Sequence, residues 1–310
     1  MNTYAEASDL ARLAERIAPH VRHNGFNATS VEGLELVASS CHRPREPQVY
    51  EPGLVFIVQG EKVGYLEDRV IHYGAGHYLV QAMPLPFECE TRPGGSAPLL
   101  GANLRVEPDV LGELVSAMPQ DAIATTPRCD AQTLPMAAVD LDTRMVEALA
   151  RLLDCLNDSV AARVLAADRL REVVFEALRG PQGHLLLQLL QVQGVYARIG
   201  EAIQQLRAYY TEPLSVPALA ASAHMSVSSF HAHFKQLTRV SPLQYQKRIR
   251  LLRARDLLVR GTTNVSGAAG AVGYQSASQF SREYKRYFGV APAHDHSSAG
   301  ELIDPTVASA

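Results

Sequence analysis

Apolar residues recur along this chain with two different rhythms, and each predicts a different kind of element. Near the start, Leu10, Leu13 and Ile17 are spaced like one face of an α-helix and predict a short amphipathic helix over residues 8–23, with Pro19 near its end. From about 33 to 107 the runs shorten to Leu34–Ala38, Leu54–Val58, Val63–Leu66, His77–Gln81 and Leu99–Val106. Between them stand Pro52–Gly53, Gly60, Gly74, Gly76, Pro84, Pro86 and Pro93–Gly94–Gly95. Short strands parted by turn residues predict a small β-barrel or sandwich. After Pro135 the helical rhythm returns. Met145, Leu149, Leu152, Leu153 and Leu156 make one stripe, and a second helix over 161–178 turns Val164, Leu165, Val174 and Leu178 inward. Gly180–Pro181–Gln182–Gly183 then breaks the chain before a Leu-rich segment at 185–192. These stripes exceed what two short helices need for each other, so the region reads as a connector and dimerisation surface.

The most informative pattern is an internal repeat. Ser226, Ser228, Phe230, Phe234, Lys235, Val240 and Pro242 recur fifty positions later as Ser276, Ser278, Phe280, Tyr284, Lys285, Val290 and Pro292. Each copy has a small-residue helix (Val216–Ala223, Val265–Val272), a tight turn (224–226, 273–276) and a helix with aromatics at i and i+4 (Val227–Thr238, Ala277–Phe288). Small residues let the second helix approach the first closely, as a helix-turn-helix unit requires. At about 100° per residue, Phe230, Phe234 and Leu237 share one face, leaving Ser228, Ala232 and Lys235 opposite. In the second copy Phe280, Tyr284 and Tyr287 turn inward and Ser278, Arg282 and Lys285 outward, with His231 and Gln279 on the flanks. Short polar and cationic side chains on a helix suit the major groove, which admits an α-helix and displays base-edge donors and acceptors. Helix capping is the competing role for Ser228 and Ser278, and ordinary solvation for Arg282.

The helix joining the copies begins Ser241–Pro242, a capping residue before a proline. Tyr245, Ile249 and Leu252 form its buried stripe, surrounded by Lys247, Arg248, Arg250, Arg253 and Arg255. Such a spacer would hold two recognition helices in successive major-groove segments, roughly 34 Å apart. Charge supports a polyanionic partner. The chain as a whole is only −3, but residues 197–296 hold 13 Lys and Arg against 5 Asp and Glu, while residues 1–196 sum to −9.

These residues resemble a known family. LAASAHMSVSSFHAHFKQLTRVSP at 219–242, the helix carrying IRLLRARDLL, and VGYQSASQFSREYKRYFGVAP at 272–292 are similar to the tandem DNA-binding domain of AraC/XylS-type bacterial transcription regulators. The N-terminal half is similar, less specifically, to a cupin-like effector domain of one branch, through YEPGLVFIVQGEKVGYLEDRVIHYGAGHYL at 50–79 and LPFE at 85–88. The resemblance implies a barrel that senses a small-molecule effector, helices that make a homodimer, and binding to double-stranded promoter DNA, with RNA polymerase as a partner if the protein is an activator. Family base contacts would fall on Ser228, His231 and Ala232 in the first recognition helix and on Ser278, Gln279 and Arg282 in the second. Lys235, Lys247, Arg248 and Lys285 are the expected phosphate contacts. Two departures stand out. Gly267 and Gly270 each cost about 1 kcal/mol against Ala inside a helix, which predicts a more mobile second unit. Ala293–His294–Asp295–His296 stands where the family has an aromatic followed by arginine, so one phosphate contact is expected to be missing.

The expected fold class is therefore α+β multidomain. A cupin-like β-barrel occupies 1–140, a helical connector and dimerisation region 141–195, an all-α tandem helix-turn-helix domain 196–296, and a flexible tail 297–310. Gln59, Tyr78, Gln81, Met83 and Phe87 are candidate effector contacts because they lie on or beside the strands, with plain core as their competing role. The rival reading is a cupin-type metal-dependent enzyme fused to a DNA-binding module. His42, His72 and His77 lack ligand spacing, and G-x-S-x-G, phosphate-loop and paired-carboxylate patterns are missing, so no catalytic residue, cofactor or metal is expected. A barrel that only dimerises, without a ligand, is a third reading. Cysteines 41, 89, 129 and 155 show no C-x-x-C and read as reduced thiols. No apolar run nears the roughly 20 residues a membrane span needs, and Asp9, Arg12, Glu15 and Arg16 interrupt the place of a signal peptide. A cytoplasmic protein without a membrane partner is the expectation.

Overall fold

Residues 4–119, 134–190 and 195–295 are described by a computed structural model. The first part of the chain forms α1 (Ala7–Ile17), β1 (Gly25–Ala28), β2 (Leu34–Ser39), β3 (Arg43–Val49), β4 (Gly53–Gln59) and β5 (Glu61–Leu66). There follow β6 (Arg69–Gly74), β7 (His77–Gln81), β8 (Pro86–Arg92), β9 (Leu99–Arg105), α2 (Pro108–Ala117) and β10 (Met136–Asp140). Helices α3 (Thr143–Asp154), α4 (Ser159–Val164), α5 (Ala166–Arg179) and α6 (Gly183–Leu187) come next. The last part is helical: α7 (Val195–Ala208), α8 (Val216–Ser222), α9 (Val227–Thr238), α10 (Pro242–Val259), α11 (Val265–Ala271) and α12 (Ala277–Phe288). Contacts divide the chain into two units, one of Met1–Arg45, Glu51–Met83 and Cys89–Gln191, the other of Glu46–Tyr50, Pro84–Glu88 and Val192–Ala310. The helices expected as a connector thus group with the strands. The tail at 297–310 and Cys129 lie outside the described residues.

The strands form two sheets, one ordered β1-β2-β9-β4-β7-β10 and one ordered β3-β8-β5-β6. β4 runs antiparallel to both β7 and β9, and Leu54, Val55, Phe56, Ile57 and Val58 are all buried. That run is apolar throughout because it is buried on both faces. All five strands read from the sequence are present. The unforeseen strands are β1, β3, β6, β8 and β10; β8 alternates as a strand does, with Phe87, Cys89 and Thr91 buried, but others break that pattern. β3, for instance, carries Pro44 and Pro47 yet sits at a sheet edge, the place where a missing N–H is tolerated.

α3 packs on α5 and buries Leu149, Leu152 and Leu153 against a stripe of Val173, Val174, Ala177 and Leu178. Arg151 on α3 bonds both carboxylate oxygens of Glu172 on α5, at 2.6 and 3.2 Å. The inward placement of Val164 and Leu165 is corrected: they are 66% and 42% exposed. The helix expected over 161–178 breaks at Leu165 (φ −111°), so the phase of α4 does not continue into α5. Cys41 is exposed, Cys89 and Cys155 are buried, and none of the three is in a disulfide. Among the described residues no helix is long and apolar enough to cross a membrane.

Candidate nucleic-acid interface

Five helices of the second unit start on a side-chain cap. Ser215, Ser226, Ser241, Asn264 and Ser276 each accept the backbone N–H three residues on, from Ala218, Ser229, Gln244, Gly267 and Gln279. Each such cap is worth about 1 kcal/mol over Ala, and of the five only Ser241 is read as a cap from the sequence. Ser226 and Ser276 therefore hold the capping role weighed for Ser228 and Ser278, two residues earlier.

Aromatic pairs seat the two recognition helices. In the first helix-turn-helix Phe230 and Phe234 are buried, and Phe234 meets Tyr245 of α10 edge to face at 5.7 Å. In the second, Phe280 and Tyr284 pack with Leu251, Ala254, Ala268, Ala269 and Val272. The small residues of α11 serve the expected close approach. The turns differ in two respects: His224 takes φ 52° where Gly273 takes φ 83°, and the second turn carries one more residue before its cap.

With the aromatics inward, all six candidate base contacts are exposed: Ser228, His231 and Ala232 on α9, and Ser278, Gln279 and Arg282 on α12. Of the candidate phosphate contacts, Lys235 and Lys285 are exposed on the same helices. Lys247 and Arg248 have internal neighbours. Lys247 Nζ lies 3.0 Å from Glu283, and Arg248 sits 6.0 Å from the centre of the Tyr287 ring. Glu283 also accepts bonds from Tyr274 (2.8 Å) and Gln279 (3.2 Å). Burial opposes ionisation of Glu283, but the bonds from Gln279, Lys247 and Tyr274 outweigh it and hold the carboxyl below its usual range.

Two of the cations read as a positive surround of α10 are instead turned onto internal partners. Arg250 donates to the carbonyls of Tyr210 (2.6 Å), Glu212 (2.8 Å) and Gly273 (3.1 Å). Arg255 is buried, with its Nε 2.7 Å from Asp295 and its guanidinium 4.6 Å from the Phe288 ring centre. Asp295 also accepts the Tyr284 hydroxyl at 2.8 Å. The one available signal was charge: in a block with only five acidic residues, Glu283 and Asp295 are turned onto its cations.

The candidate effector residues do not converge. Tyr78 and Gln81 stand three apart on β7 and so face opposite sides of the sheet. Tyr78 stacks on Phe56 at 5.5 Å, and burial pushes its phenol up. Gln81 donates to the Met83 carbonyl, Gln59 to that of Pro98, and Phe87 meets Tyr50 edge to face at 5.0 Å. A cleft of about 370 Å³ opens elsewhere, beside Leu206, Tyr209, Leu214 and Gln246, and none of the five candidates lines it. His42, His72 and His77 each lie beside a separate carboxylate, Glu90, Glu61 and Asp140. Among the described residues no three His, Cys, Asp or Glu side chains gather to hold a metal.

Comparison with known proteins places this architecture. Residues 30–185, half of the chain, match the AraC-type transcriptional regulator N-terminus, and residues 219–296 match a helix-turn-helix domain. The chain belongs to the AraC family of transcriptional regulators. It is 28% identical over 146 residues to the transcriptional regulator GbdR of Pseudomonas aeruginosa, covering 47% of this chain and 40% of that one. It is also 28% identical over 153 residues to the transcriptional activator RhaS of Escherichia fergusonii, covering 49% and 54%. The AraC-family chain thus spans about half the length of these relatives. A crystal structure of ToxT from Vibrio cholerae with an unsaturated fatty acid bound shares the fold, with a TM-score of 0.57 at 10% identity, covering 88% of this chain and 95% of that one.

Proposed function

We propose that this AraC-family chain is a sequence-specific transcription regulator that reads two successive major-groove segments of promoter DNA, one with α9 and one with α12. The carrying observation is the pair of helix-turn-helix units in one unit of the chain, each turning a short polar face outward: Ser228, His231 and Ala232, then Ser278, Gln279 and Arg282. Lys235 and Lys285 supply phosphate contacts, with Lys247 and Arg248 contributing less because of their internal neighbours. The strand-bearing part of the chain, near residues 1–140, receives a small-molecule effector. The fatty acid held by ToxT makes acyl amphiphiles the first compounds to test. The region at 141–195 joins two copies, and with the stripes of α3 and α5 buried in their own unit, Val160, Val164 and Leu165 are exposed apolar residues that a partner can cover. The site of action is the bacterial cytoplasm, with RNA polymerase as a further partner if the protein activates. No catalytic role is assigned.

Binding of the full chain to a randomised duplex library tests this reading. Enrichment of a two-part site whose affinity falls steeply between low and physiological salt supports it. Affinity that ignores both sequence and salt would overturn it.

A further inference from the structure

Arg250 occupies an unusual position among the cations of α10. Its three bonds all go to backbone carbonyls, and those carbonyls belong to different halves of the DNA-binding unit. Tyr210 and Glu212 lie in the segment between α7 and α8, at the base of the first helix-turn-helix. Gly273 opens the turn of the second, four residues before α12 begins. Gln246, one turn earlier on α10, donates to the same Tyr210 and Glu212 carbonyls at 3.1 and 2.8 Å, which fixes the first end of the bridge. At the other end the segment and the turn are in close contact. Gly273 has φ 83°, and a Cβ built on it would stand 2.2 Å from the Thr211 carbonyl oxygen. The seat therefore demands glycine for its conformation and for its lack of a side chain.

Each helix-turn-helix has its own aromatic core, and the two are joined by α10, by Tyr210 packing against the second core, and by this polar link. A guanidinium presents five donors in a rigid plane and can span three carbonyls, whereas an ammonium is a point donor on a flexible stem. Because Gly273 is so near the start of α12, any movement of the seat is carried into the second recognition helix. We propose that Arg250 and its seat at Gly273 set the distance and angle between α9 and α12, and so select the number of base pairs separating the two halves of the DNA site. Arg250 is a positioning residue, acting through the turn rather than on DNA. This rests on the two-segment reading above.

The experiment uses the full chain and the site selected from the random library. Probes carry the two segments with the natural spacer, with one base pair added or removed, or with the first segment alone. One base pair rotates a segment by about 34–36° and moves it about 3.4 Å, since a helical turn of about 10 base pairs spans about 34–36 Å. The unaltered chain should lose about tenfold at either changed spacer, which is about 1.4 kcal/mol. Arg250→Lys and Gly273→Ala, which disturb the bridge from opposite ends, should each flatten that profile to about threefold or less or move its optimum, while affinity for the first segment alone stays within about twofold. A spacing profile in both variants equal to that of the unaltered chain would overturn the proposal. So would an equal loss on the single-segment and two-segment probes, which marks a purely stabilising contact. Indifference of the unaltered chain to spacing would instead overturn the two-segment reading.

Discussion

Replacing Asp295 with Ala should loosen α12 without touching the face it turns outward. The side chain is 1% exposed and that of Arg255 is 4%. One carboxylate oxygen takes Arg255 Nε at 2.7 Å and the Tyr284 hydroxyl at 2.8 Å, while the other takes a longer bond of 3.4 Å from the same guanidinium. Removing one member of a buried charge pair costs about 3–5 kcal/mol, because the remaining charge keeps its desolvation penalty. Arg255 keeps its position over the Phe288 ring and a second carboxylate, that of Glu46, at 3.6 Å. The lower figure, about 3 kcal/mol, therefore applies. Hydrogen exchange on the full chain reads it. If α12 opens locally, protection of its slowest amides should fall about a hundredfold, at 1.4 kcal/mol per tenfold. Asp295→Asn, which keeps an acceptor but loses the charge, should fall in between. Unchanged protection in α12 with Asp295→Ala would refute the assignment of this pair as the staple of the second helix-turn-helix.

Other expectations follow from single contacts. Glu90 is held at about 2 by Arg92, His42 and Tyr65; because its folded pKa is depressed, its stabilisation is complete above the usual 4.5 and disappears as pH falls toward 2. Acid unfolding of the first unit should therefore lose part of its slope in Glu90→Gln, and an unchanged slope would show that the cluster contributes nothing. Gly270 is an exposed residue in α11 with nothing within 4 Å of an added Cβ, so Gly270→Ala should add up to about 1 kcal/mol of stability and raise the melting temperature, and a lowered one contradicts this. Lys285→Ala should reduce the slope of log affinity against log salt by about one, and Lys247→Ala by less because its ammonium stays with Glu283. Equal slopes in the two variants would place Lys247 on DNA.

How much was legible depended on whether local chemistry or distant pairing makes an element. The helix-turn-helix boundaries came out within a residue because the fifty-residue repeat sets two copies side by side and α9 and α12 each bury aromatics at i and i+4. Strands such as β4 were equally plain, being apolar throughout. β3 and β6 were not, since Pro44, Pro47 and the exposed Val70 are tolerated only through pairing with neighbours that no short window contains. The outward face of α12 followed from helical phase alone. The fates of Lys247, Arg250 and Arg255 did not, for an arginine bound to a carbonyl and one bound to a phosphate read alike in a sequence. The effector candidates shared a strand region but not a face, and alternation on β7 separates Tyr78 from Gln81 once the register is known.

The central claim is that α12 reads bases while the cations around it hold phosphate. Arg282 decides it most directly, since it is exposed on the outward face and its fork can bond guanine O6 and N7, a contact that discriminates by about 1–3 kcal/mol. Selection of binding sites from a randomised duplex by the full chain and by Arg282→Ala makes the comparison. The account predicts that the variant loses its base preference at one position of the second segment and keeps the rest of the site. A uniform fall in affinity with every preference intact would place Arg282 on phosphate and contradict base reading by α12.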